Sequence, residues 1–208
     1  MTAPAIDPVA LADVKTFLRI SGTADDAMLT AFISAATRII ERYTSRRLIT
    51  QTWDYFADRF PSDNKFDSMN FEGTIEGKLS EFISTKKFIA IPLFPLQSVT
   101  YLKTYDDANV AYTMTSTEYF VDVKSEPGRL ALTNNSTWPT TFLRPVQGIE
   151  IRFVCGYGAL ATDVPYELRH AIMQTVGVFY TNRGCAENED AIPKSALALI
   201  QAYRVFRL

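Results

Sequence analysis

The sequence has little cysteine, less histidine and no excess of charge of either sign, and each shortage closes off a class of function. Among 208 residues there are two cysteines and one histidine. Cys155 and Cys185 belong to no CxxC pair and no Cys/His cluster, so neither a zinc site nor a disulfide framework has its ligands, and a reduced chain is expected. His170 stands without HExxH, GxSxG or Walker spacing anywhere in the chain, which leaves an acid–base or nucleophilic mechanism without partners. We read it as a surface or boundary residue making one hydrogen bond. The formal net charge of −2 gives no surface-wide grip on nucleic acid. No stretch reaches the roughly 18 uninterrupted apolar residues of a membrane span. Residues 1–7 lack the basic and apolar regions of a signal peptide, so a soluble chain that is not exported by a cleaved signal is expected.

What the chain does have is apolar material, 47% of it, in two different rhythms. Asp7-Pro8 reads as a helix cap followed by a first-turn proline, with Leu11, Val14 and Leu18 on one face and Ser21-Gly22 as the stop. The strongest helical period follows at Leu29, Phe32, Ile33, Ala36, Ile40 and Tyr43, and predicts a helix over about 25–46. From about residue 48 the period falls to two, with turn residues every ten or so positions. Strands are expected over 50–57, 74–84, 87–91, 98–105, 118–123, 129–133 and 148–154. Pro92 and Pro95 bracket a strand exit, and the polar segment 62–70 reads as a mobile loop. After Gly158 helical spacing returns at Leu168, Ile172, Val176 and Phe179, with a stop at Gly184. A short closing helix carries Ala196, Leu199, Ile200 and Tyr203.

The pattern predicts an α+β fold: a small helical domain of about four helices, residues 1–47 and 159–208, with an antiparallel β module, residues 48–158, inserted into it. Neither helical pair buries enough alone, so the two sets of apolar stripes should face each other.

Several constellations look chemical and have plainer readings. Gly156-Tyr157-Gly158 lacks the GxGxxG spacing and reads as a strand-to-helix corner needing positive φ at one or both glycines. Asp106-Asp107-Ala108-Asn109 reads as a hairpin turn, and Glu187, Glu189 and Asp190 as a solvated loop, since neither has the spacing of a calcium loop. The aromatic residues of the β module fit core packing better than base stacking, because Asp and Glu are interleaved with them. No cofactor is expected. Arg42, Arg46 and Arg47 suit the C-terminal end of the second helix, where the helix dipole favours cations. The C-terminal run Tyr203, Arg204, Val205, Phe206, Arg207 and Leu208 is amphipathic at a free end, which gains most if a partner buries it.

Residues 11–20 (LADVKTFLRI), then Asp25-Asp26-Ala27-Met28-Leu29 and Ile33-Ser34-Ala35-Ala36, resemble the N-terminal signature of tailed-phage head-tail connector (adaptor) proteins. The order continues with the proline-flanked run 91–99 (IPLFPLQSV), Trp138-Pro139, Cys155-Gly156-Tyr157-Gly158 and Val164-Pro165. The resemblance covers nearly the whole chain and matches the longer members, those with a β insertion; nothing familiar stands between residues 61 and 80. It implies a non-enzymatic virion protein of the phage neck, assembled in the host bacterial cytoplasm. The implied assembly is a homo-oligomeric ring, a dodecamer in the particle, between the portal protein and a downstream neck or tail protein. DNA would pass through as cargo, and no membrane is involved. By the same resemblance residues 202–208 would dock on the portal, and the helical domain would pack the ring around the channel. Ring closure needs two unlike faces on each subunit, and Arg38, Arg42, Arg46 and Arg47 are the candidates for ring-interface or channel residues. A different neck or tail-completion ring is the nearest alternative. From another class, the aromatic-rich β module could bind a small ligand or carbohydrate.

Overall fold

The computed structural model describes residues 2, 4–60, 88–133, 136, 138–139, 143–182 and 192–204. Four helices and seven strands are found among them: α1 (Leu11–Leu18), α2 (Asp26–Thr44), β1 (Gln51–Ala57), β2 (Phe88–Ala90), β3 (Leu96–Tyr105), β4 (Ala111–Thr113), β5 (Tyr119–Asp122), β6 (Arg129–Leu132), β7 (Ile149–Cys155), α3 (Tyr166–Asn182) and α4 (Lys194–Ile200). The expected strand over 74–84, the loops at 62–70 and 187–190, the stop at Gly184, Cys185 and the last four residues of the C-terminal run lie outside the described residues.

The chain divides into two compact units. The helical unit holds residues 1–52, 93–95 and 155–208, and the β unit residues 53–92 and 96–154. The helical unit therefore also takes in the segments 48–52, 93–95 and 155–158. Inside it, Gly156 N–H donates to the Pro95 carbonyl, Arg47 N–H to the Phe94 carbonyl and Tyr157 N–H to the Leu48 carbonyl. Backbone pairing sews these pieces together where periodicity alone shows only loose ends.

In the helical unit the apolar stripes meet as expected. Leu29, Ile33, Ala36 and Ile40 of α2 share one core with Leu168, Ala171, Ile172 and Val176 of α3, Ala196 and Ile200 of α4, and Val14 of α1. Fully burying one such aliphatic side chain is worth roughly 1.5–3 kcal/mol, so the shared core is what makes helices of this length persist. Polar ties fix the arrangement: Lys15 pairs with Asp26 at 2.6 Å, joining α1 to α2, and the Tyr180 hydroxyl donates to Asp25 at 2.8 Å, joining α3 to the start of α2.

Two helix ends differ from expectation. Asp7 does not cap α1, which starts at Leu11 behind Ala10; the Asp7 carboxylate instead accepts a long contact of 3.4 Å from the Ser34 hydroxyl. The helix also stops three residues before Ser21, because Arg19 takes the left-handed conformation at φ 57° and its N–H caps the last turn. Ser45, at φ 59°, takes the same left-handed conformation at the end of α2.

The β unit contains two sheets, one ordered β1-β7-β3-β4 and the other β2-β6-β5. In the second sheet Phe88 pairs with Ala131 and Ala131 with Phe120, all antiparallel. Ile149, Ile151 and Phe153 alternate inward along β7, joined by Leu102, Leu130, Ile89 and Met114 in the buried set. Strand β4 escaped the sequence reading because it is three exposed residues long and has no alternation to detect. Asp106 to Asn109 form the hairpin turn before it: Asn109 N–H donates to the Asp106 carbonyl, Val110 N–H to the Asp106 carboxylate, and Asn109 sits at φ 62°.

Candidate interaction surfaces

The four candidate arginines part into two kinds. Arg38 and Arg42 are exposed on α2, one turn apart. Their neighbours on that side are small: Ala27, Ala31 and Ala35 are exposed too. Arg46, by contrast, is only 7% exposed, and its Nε–H donates to the Tyr203 carbonyl at 2.7 Å while the guanidinium lies near the rings of Tyr157 and Tyr203. Arg47 is largely covered and faces the Glu41 carboxylate at 3.6 Å. Arg46 and Arg47 are therefore internal fasteners of the subunit, which corrects their place among surface candidates; a Pro or Gly signal would have flagged the turn, but nothing in the sequence distinguishes an inward from an outward arginine.

Sequence reasoning missed Glu41 altogether. Its carboxylate lies buried on the core side of α2, where it accepts the Leu48 backbone N–H at 2.9 Å and the Gln51 amide at 3.2 Å, with Arg47 beside it. Burial raises its pKa, opposed by the Leu48 hydrogen bond and by Arg47. The group caps the reversal from α2 into β1, so it holds the fold and touches no solvent-facing site. An acid at an inward helical position, seven residues before the backbone N–H it caps, was the available signal.

The open face of the four-stranded sheet collects the other polar cluster. Tyr101 donates to Glu150 at 2.6 Å, Tyr105 donates to its second oxygen, and Arg152 clasps Asp54 at 2.6 and 3.0 Å. Lys103 lies 4.1 Å from the Tyr101 ring centre and Arg144 4.2 Å from that of Tyr105. Desolvation and the hydrogen bond to Glu150 push the Tyr101 hydroxyl up to about 12, while Arg152 holds Asp54 below the ordinary carboxylate range. Each charged group named here has a partner within the cluster, so the face is internally balanced.

The remaining candidates have structural uses. His170 is half-buried, stacked on Tyr166 and edge-on to Phe17, each at 5.7 Å. Its half-burial makes it a boundary residue, and its Nδ1 finds no hydrogen-bond partner. Gly156 adopts φ 132°, and a Cβ would come within 2.7 Å of the Ile49 backbone; Gly158 needs no positive φ. Among the described residues no group of three or more His, Cys, Asp or Glu could hold a metal ion, and no helix is long and apolar enough to cross a membrane. Of the C-terminal run, Tyr203 and Arg204 are described: the Tyr203 hydroxyl donates to Glu167 at 3.1 Å, and Arg204 lies 5.0 Å from the Tyr43 ring centre.

Residues 8–85 match the family model of the phage gp6-like head-tail connector protein. The match takes in the whole of α1, α2 and β1. Three solved structures extend the likeness of fold beyond residues 8–85 to the full chain. A chain from the neck of an empty gene transfer agent (GTA) particle, computed with C6 symmetry, superposes with a TM-score of 0.76 at 20% identity, covering 100% of this chain and 95% of that one. Chains from the virion of the native GTA particle and from its neck computed with C12 symmetry each give 0.71, at 21% and 20% identity, covering 100% of this chain and 96% of theirs. No curated protein sequence matches the chain.

Proposed function

We propose that the chain is a structural head-tail connector subunit that assembles into a ring in the neck of a tailed phage or phage-like particle, with DNA passing through the ring. The observation that carries this reading is the coincidence of two likenesses: a connector family match over residues 8–85 and a fold shared end to end with neck chains. The chemistry agrees, because the described polar clusters are internally balanced and arranged for packing. A passage for DNA should not bind phosphate tightly, and a formal net charge of −2 meets that need.

In this reading the partners are other copies of the chain, twelve in the particle, the portal protein on one side and a downstream neck or tail protein on the other. Residues 202–208 dock on the portal. The helical unit carries the ring contacts, and assembly takes place in the host bacterial cytoplasm. The test is deletion of residues 202–208 from the full chain. The truncated protein should keep its helical content, melt lower because Arg46 and Glu167 lose their Tyr203 partners, and lose binding to purified portal at temperatures where it remains folded; undiminished portal binding would refute the docking role. Cryo-electron microscopy of particles, with and without the gene for this chain, checks the neck position directly: particles lacking it should have heads without tails.

A further inference from the structure

One face of the helical unit differs from the rest of its surface. Phe17 of α1 and Tyr166 of α3 are 42% and 62% exposed, and His170 lies between them with ring centres 5.7 Å away on either side. The row continues along α3 into an open groove of about 440 Å³ lined by Phe17, Leu18, Gln174, Gly177, Thr181 and Pro193. Three buried polar atoms on this stretch of α3, Arg169 Nε, His170 Nδ1 and Gln174 Oε1, have no hydrogen-bond partner in the subunit. Two exposed acids are near the rings along their helices: Asp13, one turn before Phe17, and Glu167, the residue after Tyr166, whose carboxylate also accepts the Tyr203 hydroxyl.

Exposed rings beside carboxylates are a receiving surface for guanidinium groups. The subunit itself shows the preference, since Arg169 lies 5.8 Å from the Tyr166 ring centre. A paired guanidinium source is present on the same unit, on α2: Arg38 and Arg42 stand one turn apart, about 6 Å along a helix axis, close to the spacing of the three rings. Ala27, Ala31 and Ala35 beside them let a facing helix approach closely.

We propose that the Phe17–His170–Tyr166 face of one copy receives the Arg38/Arg42 face of α2 from the next copy, as the head-to-tail contact that closes the ring. The inference rests on the ring reading above and adds which surfaces meet. A ring requires unlike faces on one subunit, and these two are unlike in the required sense: one presents exposed rings with carboxylates and arginines, charges of both signs, around them, and the other is smooth and basic. Arg19 and Arg169 are the like charges that an incoming α2 must avoid, which restricts its register on the face.

The test is a charge exchange in the full-length chain. Arg38→Glu with Arg42→Glu, and separately Asp13→Lys with Glu167→Lys, should each weaken self-association by about tenfold or more, because like charges then face one another. The chain carrying all four changes should regain most of the loss, and Phe17→Ala with Tyr166→Ala should weaken association with no rescue by either exchange. Self-association is read by native mass spectrometry at rising concentration and, where the wild type assembles only on particles, by subunit occupancy of the neck in particles made with each variant. Circular dichroism checks that every variant is folded. Rings that persist unchanged in both single exchanges would overturn this contact and leave the ring reading standing, with another neck protein as the occupant of the face. Loss in both without recovery in the four-fold variant would overturn the pairing. Wild-type particles showing no ring of this chain would overturn the ring reading and this inference together.

Discussion

In the helical unit the carboxylate of Glu41 is inside, capped by backbone and amide donors, and burial raises its pKa. In the β unit the corresponding groups lie on open sheet surfaces in matched pairs: Asp54 with Arg152, Asp122 with Arg129, Glu150 with two tyrosines. Their carboxylates are shifted the other way. Arg152 is the largest influence holding Asp54 down, and the hydrogen bonds from Ser125 and Arg129 hold Asp122 well below the ordinary range. Burial opposes the shift at Glu150, but the Tyr101 and Tyr105 hydroxyls outweigh it. One unit uses charge to fix a chain reversal, the other to keep an exposed face rigid. The two should therefore respond differently to mutation and to acid, and the chain carries a reporter for each. Both tryptophans, Trp53 and Trp138, lie in the β unit, while Cys155 is buried in the helical unit, where desolvation pushes its thiol up to about 12 and makes it inert until the unit opens.

The largest expected effects come from backbone and core changes, one in each unit. Gly156→Ala places a Cβ 2.7 Å from the Ile49 backbone at a φ of 132°, where neither side can yield, and should destabilise the helical unit by about 3 kcal/mol or more. Gly22→Ala is the control, since nothing lies within 4 Å of its Cβ. Leu130→Ala empties a fully buried site in the β unit and should cost roughly 2–5 kcal/mol. Denaturant titration of a Cys185→Ser background, read by tryptophan emission and by thiol labelling of Cys155, separates the two. Gly156→Ala should shift the labelling curve first and Leu130→Ala the emission curve first. Coincident shifts in both variants would mean that the units unfold as one.

Next in size is Glu41. Removing the side chain in Glu41→Ala strands the Leu48 N–H, the Gln51 amide and the Arg47 guanidinium in covered surroundings, at about 3 kcal/mol. Glu41→Gln keeps an acceptor for Leu48 and removes the buried charge, so it should stay within about 1 kcal/mol of wild type near neutral pH. A loss in Glu41→Gln as large as in Glu41→Ala would show that the charge itself, and not the hydrogen bonds, holds the reversal.

The pH dependence is smaller and has opposite signs in the two units. A carboxylate with a depressed folded-state pKa stabilises the fold above the ordinary carboxylate value, and that contribution is lost as pH falls through the depressed value. Asp54, Asp122 and Glu150 are of this kind, along with Glu118, which the Thr115 N–H and hydroxyl hold down. Glu41, with its pKa raised above 4.5, binds its proton more tightly folded than unfolded, so its contribution weakens as pH rises through that window. Acidification below about pH 4 should therefore loosen the β unit, seen by tryptophan emission, before Cys155 becomes reactive. Thiol exposure that precedes the emission change would contradict the assignment of signs.

These contrasts mark what was legible in the sequence. The apolar stripes of α2 and α3 set a helical period over four to five turns, and Ile149, Ile151 and Phe153 alternate without interruption, so both kinds of element were readable from spacing. The shared helical core followed, because neither pair of stripes can be covered by its own short partner. Three things were not legible. Asp7-Pro8 has the residue types of a helix cap, yet α1 starts later, behind Ala10, and no local rule separates the two. Strand β4 depends on its pairing with β3 and has no pattern of its own. The inward turn of Arg46 and Arg47 depends on Tyr203 and Glu41, which are distant in sequence or on the preceding helix. The receiving face of Phe17, His170 and Tyr166 was invisible for the same reason, since it brings together residues more than 140 positions apart.

Phe120 gives the smallest expected effect and separates stability from assembly most cleanly. It is 66% exposed on β5, the edge strand of the three-stranded sheet, in the row that runs Phe88, Ala131, Phe120 across the strands. An apolar ring so exposed gains little from the subunit's own core, so Phe120→Ser should leave folding stability within about 0.5 kcal/mol of wild type. If the β unit meets a downstream neck or tail protein through this sheet, the same change should lower the fraction of tailed particles while rings and portal binding persist. A melting curve displaced by several degrees would instead mean that the ring is packed within the subunit. Unchanged stability with unchanged tailing would turn attention to the other open sheet face, where Tyr101, Tyr105 and Arg152 present a rigid surface of the residue types that dominate binding hot spots.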